Sequence, residues 1–507
     1  MKKEINKTSR RNFIGTVGAV AAGFTIVPGT VMGKAFGHVA PSDKLNIAGV
    51  GIGGMGRNNL RNMSTENIVA LCDVDWDYAD KTFMDYPRAK RYKDWRQMFD
   101  EVGKSVDAVL VATPDHSHAA VASHAITLGK HVYTQKPLTH SVYESRLLTR
   151  LAKKYNVATQ MGNQGHSLDD VRRVCEWIWS GAIGEVTTVH AWTDRPIWPQ
   201  GLQRPKQAMK VPRTLDWDLF IGPAEMRPYN SLYTPWNWRG WWNFGTGALG
   251  DMACHILDPV FWALKLKYPL RVEASSTLVN LESPPHAEKL KYTFPARKNL
   301  PDVGMPEVTV YWYDGGFLPD RPRELPEGEM MGRDSNGGLI FEGTNGKIMT
   351  GCYGTKPILL PYSRMDDFQE PEPVIRRVPN GDQGAWTNVH EQDWIRACKE
   401  SPENRTEACS NFGYSGPFNE MVVMGVLAVR LAGLNRELHW DGDNMRFTNI
   451  SDHDKLKVVT LDEFEVVNGD PHFNREYTEF NAKDIAAEWV KHTYRQGWSL
   501  PDMPQEA

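Results

Sequence analysis

From Leu45 the chain alternates short apolar runs with stretches of helical period. LNIAGV opens the pattern, NIVALC follows at Asn67 to Cys72, and DAVLVAT occupies Asp107 to Thr113. HVYTQ and VATQM, starting at His131 and Val157, are two further runs. The first is followed by a glycine-rich turn and a helical stretch to about Met63. Between the last two runs lies Ser141 to Tyr155. It opens with Ser141-x-x-Glu144, a capping box, and carries Leu147, Leu148 and Leu151 on one face. Strands alternating with helices predict a parallel, doubly wound α/β sheet, here assigned to residues 43–165.

The turn after the first strand reads GVGIGGMGR. Gly51, Gly53 and Gly56 satisfy G-x-G-x-x-G: a tight turn, a close approach of backbone to a pyrophosphate, and close helix–strand packing. Phosphates would then sit at a helix N-terminus, where free amides and the helix dipole favour an anion. Asp73 ends the second strand, seventeen residues after Gly56. That is the spacing of an acid meant for the adenosine ribose hydroxyls. A carboxylate there repels a 2′-phosphate, so NAD is the expected cofactor and NADP the less favoured one.

Length adds a second domain. The 507 residues exceed what one core usually supports. A net charge of -4 shows no basic excess for nucleic acid. Six scattered cysteines without a Cys-x-x-Cys pair argue against a zinc knuckle or disulfide scaffold. The histidines lack the spacing of a metal site such as H-E-x-x-H, so no metal is expected.

The first forty residues read as an address. Thr8 to Gly15, TSRRNFIG, resembles the twin-arginine export signal, whose pattern is Ser-Arg-Arg-x-Phe. Basic Lys2, Lys3, Lys7, Arg10 and Arg11 precede an apolar run from Gly15 to Val27, too short to span a bilayer unaided. Residues 1–40 are therefore set aside as a leader. A periplasmic or otherwise extracytoplasmic location, with no stable membrane span, is expected.

Three further stretches carry a family resemblance: ATPDHSHAAVASHAITLGKHVYTQKPLTH from Ala112, GAIGEV from Gly181, and GTGALGDMACHILDPV from Gly245. With the glycine turn, they resemble the glucose-fructose oxidoreductase / inositol dehydrogenase family, Gfo/Idh/MocA. The resemblance implies a Rossmann domain, then a domain with a large open, mostly antiparallel sheet (α+β, residues 166–507) serving substrate and oligomer contacts. It implies a cofactor site from Gly51, Ile52, Gly53, Met55, Gly56, Asp73, Thr113, Pro114, His118, Gln135, Lys136 and Asn163. The family's Glu-Lys-Pro motif reads Gln135-Lys136-Pro137 here. Lys136 matches the lysine that meets the reacting hydroxyl, and Gln135 replaces the usual acid.

Asp251-x-x-x-His255 matches the family's substrate-contacting Asp and His. Four residues on a helix place both on one face, about 6 Å apart along the axis. Lys136, Asp251 and His255 are the expected catalytic set. His116 and His166 are weaker candidates. Trp192 to Trp242 is dense in tryptophan, and aromatic faces pack against the C–H face of pyranose rings. Arg239, Trp241 and Trp242, with Trp238 beside them, are expected at the substrate, and Arg195 and Asn243 can bond hydroxyls or acidic groups.

The implied activity is hydride transfer between a hydroxyl-bearing carbon of a sugar or glycoside and a tightly bound nicotinamide, in an exported homo-oligomeric enzyme. A redox-assisted glycoside hydrolase of the same family is the alternative. Its relatives often carry Thr-His-Gly-Leu-Gly-Pro where this chain has CHILDP. A non-catalytic sugar-binding protein is the third reading, opposed by the joint presence of Lys136, Asp251 and His255.

Overall fold

The apolar runs form strands where the pattern places them. In chain order the first half contains β1 (Asn46–Val50), α1 (Met55–Asn62), β2 (Asn67–Cys72), α2 (Trp76–Asp85), β3 (Lys90–Tyr92), α3 (Trp95–Val102), β4 (Ala108–Val111), α4 (Asp115–Thr127), β5 (His131–Thr134), α5 (Val142–Tyr155) and β6 (Thr159–Met161). The six strands are all parallel, in the order β3-β2-β1-β4-β5-β6. All four residues of β4 are buried, as a strand covered on both faces requires. The order reverses between β1 and β4, so a crevice opens at the carboxyl ends of these two strands. The capping box is complete: Ser141 Oγ accepts from Glu144 N at 3.3 Å, and Ser141 N donates to Glu144 Oε2 at 3.0 Å.

This computed structural model describes residues 43–298 and 303–505. The leader and its Arg10–Arg11 pair lie outside the described residues. Among the described residues no helix is long and apolar enough to cross a membrane.

The second half begins with α6 (Asp169–Trp179) and β7 (Val186–Thr193). A long loop interrupted by α7 (Trp217–Ile221) leads to α8 (Gly247–Ile256) and α9 (Asp258–Ala263). Then come β8 (Arg271–Ser276), β9 (Glu288–Phe294), β10 (Val308–Tyr313), β11 (Gly337–Gly343), β12 (Gly346–Gly351) and β13 (Ile358–Leu360). Two helices follow, α10 (Val389–Lys399) and α11 (Phe412–Arg430), and two short strands, β14 (Leu438–Asp441) and β15 (Arg446–Phe447). A long hairpin of β16 (Lys455–Val467) and β17 (Asp470–Asn481) precedes α12 (Ala482–Val490). Nine strands form one open sheet in the order β13-β12-β11-β7-β10-β9-β8-β14-β15. Its β7–β10 pair is parallel and its other pairs antiparallel, the architecture the resemblance implies.

Late elements also complete the first sheet. Trp394, Ile395 and Ala397 of α10 share a core with Ile47, Leu71, Leu110 and Tyr133. The Trp394 ring meets Tyr133 edge-on at 5.6 Å, and its indole N–H donates to Ala158 O at 3.3 Å. Helix α10 thus covers a face of the parallel sheet, more than two hundred residues after β6.

Candidate active site

A cleft of about 710 Å³ runs from the glycine turn to α8. At one end the turn has the geometry its glycines permit. Gly51 has φ +78°, and a Cβ there would lie 2.5 Å from Ala112 C and Thr113 N. A Cβ on Gly56 would lie 2.1 Å from Gly51 O, so only glycine lets α1 sit this close to β1. The Tyr78 ring packs over the turn, 2.1 Å from where a Cβ of Gly53 would stand. Gly51, Gly53 and Met55 line the cleft; Ile52 is buried behind it and contributes its N–H instead.

Asp73 organises this end. Its Oδ2 accepts from Ile52 N at 2.8 Å and Gly53 N at 3.1 Å, and its Oδ1 accepts from Asp75 N at 3.0 Å. Burial pushes its pKa up to about 6, with the amide from Asp75 and those from the turn pulling the other way. Asp75 also lines the cleft, and its Oδ1 is enclosed without a hydrogen-bond partner. An unspent carboxylate oxygen two residues beyond Asp73 is not evident in the sequence pattern.

At the other end Lys136, Asp251 and His255 come together. Lys136 Nζ donates to Asp251 Oδ1 at 2.9 Å and to Asp251 O at 2.8 Å. Arg239 Nε donates to the same Oδ1 at 3.2 Å. Burial alone would raise the Asp251 pKa; Lys136 and then Arg239 outweigh it and hold the carboxylate well below its usual range. His255 is 5% exposed and packs edge-on against Tyr353 at 4.8 Å. Its Nδ1 has no hydrogen-bond partner. Burial first, and the Lys136 charge second, push its pKa well below the ordinary value, so the imidazole is neutral at neutral pH.

The remaining cofactor candidates divide. Thr113, Pro114, Gln135 and Lys136 line the cleft. Gln135 Nε2 donates to Asn59 Oδ1 at 2.9 Å, and Asn59 Nδ2 to Glu391 Oε1 at 2.7 Å, which ties the cleft floor to α10. Asn163 is fully buried, with Oδ1 accepting from Ser410 Oγ at 2.6 Å and Nδ2 unpartnered; its neighbour Gln164 reaches the cleft. His118, expected at the cofactor, sits behind the wall. Its ring spans Pro137 O and Thr113 O, each at 2.8 Å, and so joins the two cleft-lining loops. Burial pulls its pKa to about 4, so a single ring proton serves one carbonyl at a time.

The aromatic wall differs from expectation. Trp241 is fully buried, with its indole N–H donating to Leu232 O at 2.9 Å and its ring against Tyr233. Trp242 is 3% exposed and donates to Asn280 O at 3.1 Å. Both fill core rather than cleft, because the short 3-10 turn Asn237–Gly240 directs their indoles inward to carbonyls that a buried N–H needs. Trp198, Trp236 and Trp238 line the cleft instead. The Arg239 guanidinium lies 4.2 Å from the ring centres of both Trp236 and Trp238, fixing it beside Asp251. Arg195 also lines the cleft; Asn243 does not. Tyr353, Trp386 and Trp498 enter from segments distant in sequence and were not foreseen as site residues.

The weaker histidines are structural. His116 faces Phe220 O at 3.0 Å and Phe244 O at 3.3 Å. His166 pairs with Asp258 at 2.8 Å and stacks on Trp262. Among the described residues no group of three or more His, Cys, Asp or Glu is placed to hold a metal ion.

Comparison with known proteins fits this geometry. Two models of a Gfo/Idh/MocA oxidoreductase family match, the NAD-binding Rossmann fold over residues 45–163 and the C-terminal alpha/beta domain over residues 174–296. Levoglucosan dehydrogenase of Pseudarthrobacter phenanthrenivorans is 27% identical over 32% of this chain and 34% of its own length. Inositol 2-dehydrogenase of Salmonella typhimurium is 28% identical over 28% of this chain and 43% of its own. A glycosyl hydrolase family 109 protein of Shewanella pealeana is 24% identical over 36% and 44%. The chain thus spans less than half of each of these relatives. Among solved structures, the WlbA dehydrogenase of Bordetella pertussis, in complex with NADH and UDP-GlcNAcA, superposes with a TM-score of 0.53 at 16% identity, over 78% of this chain and 99% of that one. The WlbA dehydrogenase of Chromobacterium violaceum gives 0.54 at 15% identity, over 79% and 96%. At such identities the likeness is one of fold.

Proposed function

From a chain that carries, over residues 45–163 and 174–296, the paired domains of the Gfo/Idh/MocA oxidoreductases, we propose an exported NAD-dependent oxidoreductase that acts on a hydroxyl-bearing carbon of a sugar or glycoside. The observation that carries this reading is the joining of a glycine-lined nucleotide turn and the Lys136–Asp251–His255 group by one cleft. The residues fit a dinucleotide: Gly51, Gly53 and Gly54 present backbone without side chains to the cleft, and Asp75, which also lines it, keeps Oδ1 without a partner. NAD, when bound, supplies hydride acceptance at its nicotinamide ring.

The chain's own residues handle position and proton. His255, neutral and lining the cleft, is the group able to take the hydroxyl proton. Lys136 donates to the same oxygen and steadies it as the proton leaves. Asp251 holds Lys136 and Arg239 in place and balances their charge. The tryptophans at 198, 236 and 238 offer apolar faces to a sugar ring.

The test is product analysis. The purified chain is incubated with a panel of sugars and glycosides, and products are weighed. Loss of two hydrogens supports the dehydrogenase. Release of an aglycone with the sugar otherwise unchanged replaces it with a hydrolase that oxidises and re-reduces in one cycle. Neither change in any substrate defeats both. Export rests on TSRRNFIG; replacing Arg10 and Arg11 by lysine should retain the chain inside the cell, measured by fractionation.

Asp73 sets cofactor choice in this reading. Asp73→Ala removes the ribose acceptor and the repulsion of a 2′-phosphate together. It also frees the Ile52 and Gly53 amides, so affinity should fall for both cofactors, and the diagnostic quantity is the NAD/NADP ratio. That ratio should collapse towards one; an unchanged ratio by calorimetric titration assigns discrimination elsewhere. In the wild type the ribose bond needs the ionised carboxylate. With the group at about 6 rather than its ordinary 3.8, NAD affinity should hold above pH 6 and weaken as pH falls through it, by no more than one charge-assisted hydrogen bond supplies.

A further inference from the structure

The end of the chain returns to the nucleotide end of the cleft. After α12 it crosses between α5 and α7 and is bolted at each step. The Tyr494 hydroxyl donates to Glu144 Oε1 at 2.7 Å. Arg495 donates from its backbone N to Pro223 O at 3.0 Å, from Nε to Gly222 O at 2.6 Å, and from Nη2 to Asp218 O at 2.8 Å. Its Nη1 pairs with the Asp218 carboxylate at 2.9 Å. Trp498 N then donates to Arg495 O at 3.1 Å, a turn that delivers the indole to the cleft.

Trp498 stands on the Asp73 side. Its ring centre lies 6.2 Å from that of Trp95, and the Arg96 guanidinium covers it at 4.6 Å. Trp95 begins α3, shortly after β3, the edge strand beside β2, which Asp73 follows. Trp498, Trp95, Lys93, Asp75 and Val74 line that end, while Lys136, Asp251 and His255 line the other. The tail therefore touches the place of the adenosine half and not the place of hydride transfer.

We infer that Tyr494–Trp498 is a strap over the adenosine end, and that Trp498 is a cofactor-holding residue whose position Arg495 sets. The inference rests on the reading of this cleft as a dinucleotide site. A flat purine beside an indole gains from stacking as well as from exclusion of water. A nucleotide can leave this end only after Trp498 moves, and Trp498 moves only when the Arg495 bolts open together. Release is then limited by a cooperative local opening rather than by the loss of any one contact. Arg495 does not line the cleft, so it acts on the nucleotide only through the strap.

The experiment uses the full chain and an etheno-NAD probe. Wild type, Arg495→Ala, Trp498→Ala and Trp498→Phe are loaded, freed of excess by gel filtration, and chased with unlabelled NAD. Thermal melting confirms that each variant is folded. We expect release at least tenfold faster in Arg495→Ala and Trp498→Ala, with Trp498→Phe recovering most of the slow release because it restores an aromatic face. Release at the wild-type rate in both alanine variants overturns the strap and leaves the nucleotide site standing. A wild-type chain that takes up no probe overturns the nucleotide site, and the strap with it.

Discussion

A Lys136→Met chain should fold, hold its nucleotide and turn over at least about 10²-fold more slowly, the scale of a lost general acid–base partner. Methionine keeps most of the length of the lysine stem and removes the donor. The partner left behind is not stranded, since Asp251 still receives Arg239 Nε at 3.2 Å. A carboxylate with one remaining cation is far less costly than an unpaired buried charge. Stability should therefore fall modestly while rate falls steeply. Melting curves and bound-nucleotide assays report the first; single-turnover reduction of the bound nicotinamide reports the second. A folded variant with near-normal turnover would remove Lys136 from the chemistry.

His255→Asn should cost about 10²- to 10⁴-fold in the same assay, with a different signature in pH. The imidazole pKa lies well below its ordinary 6.5, through burial and the Lys136 charge. Activity that needs the neutral ring is thus complete at neutral pH and is lost as pH falls through that depressed value. In His255→Asn this acid limb should vanish, because the amide does not titrate. In Lys136→Met the limb should move towards higher pH, because the largest charge contribution to the depression is gone. An acid limb that stays put in both variants would assign the base elsewhere.

The placements legible in the sequence are those whose requirement is local. Gly56 is demanded by Gly51 O five residues earlier, and Asp73 follows directly on β2. Ser141 and Glu144 satisfy each other three residues apart. Asp251 and His255 share a helix face at any reasonable helix boundary. What escaped depends on long-range direction. Trp241 and Trp242 lie close to Asp251 in sequence, yet the carbonyls that satisfy their N–H groups are Leu232 O and Asn280 O, and these draw the indoles into core. Trp386 and Trp498 reach the cleft from loops whose course no local pattern records. His118 has the right neighbourhood but spends its ring on Thr113 O and Pro137 O.

Helix α10 has a consequence in time. Trp394, fully buried against Tyr133 and Ala158, completes a face of the six-stranded sheet, but it is translated long after β6. At about 5–20 residues per second, the two hundred-odd residues between them take on the order of ten to forty seconds to synthesise. Through that interval the emerging sheet lacks the Trp394 indole against Tyr133 and Ala158 O. The pace of the ribosome, rather than the contacts within the first half, decides when the nucleotide crevice acquires its backing.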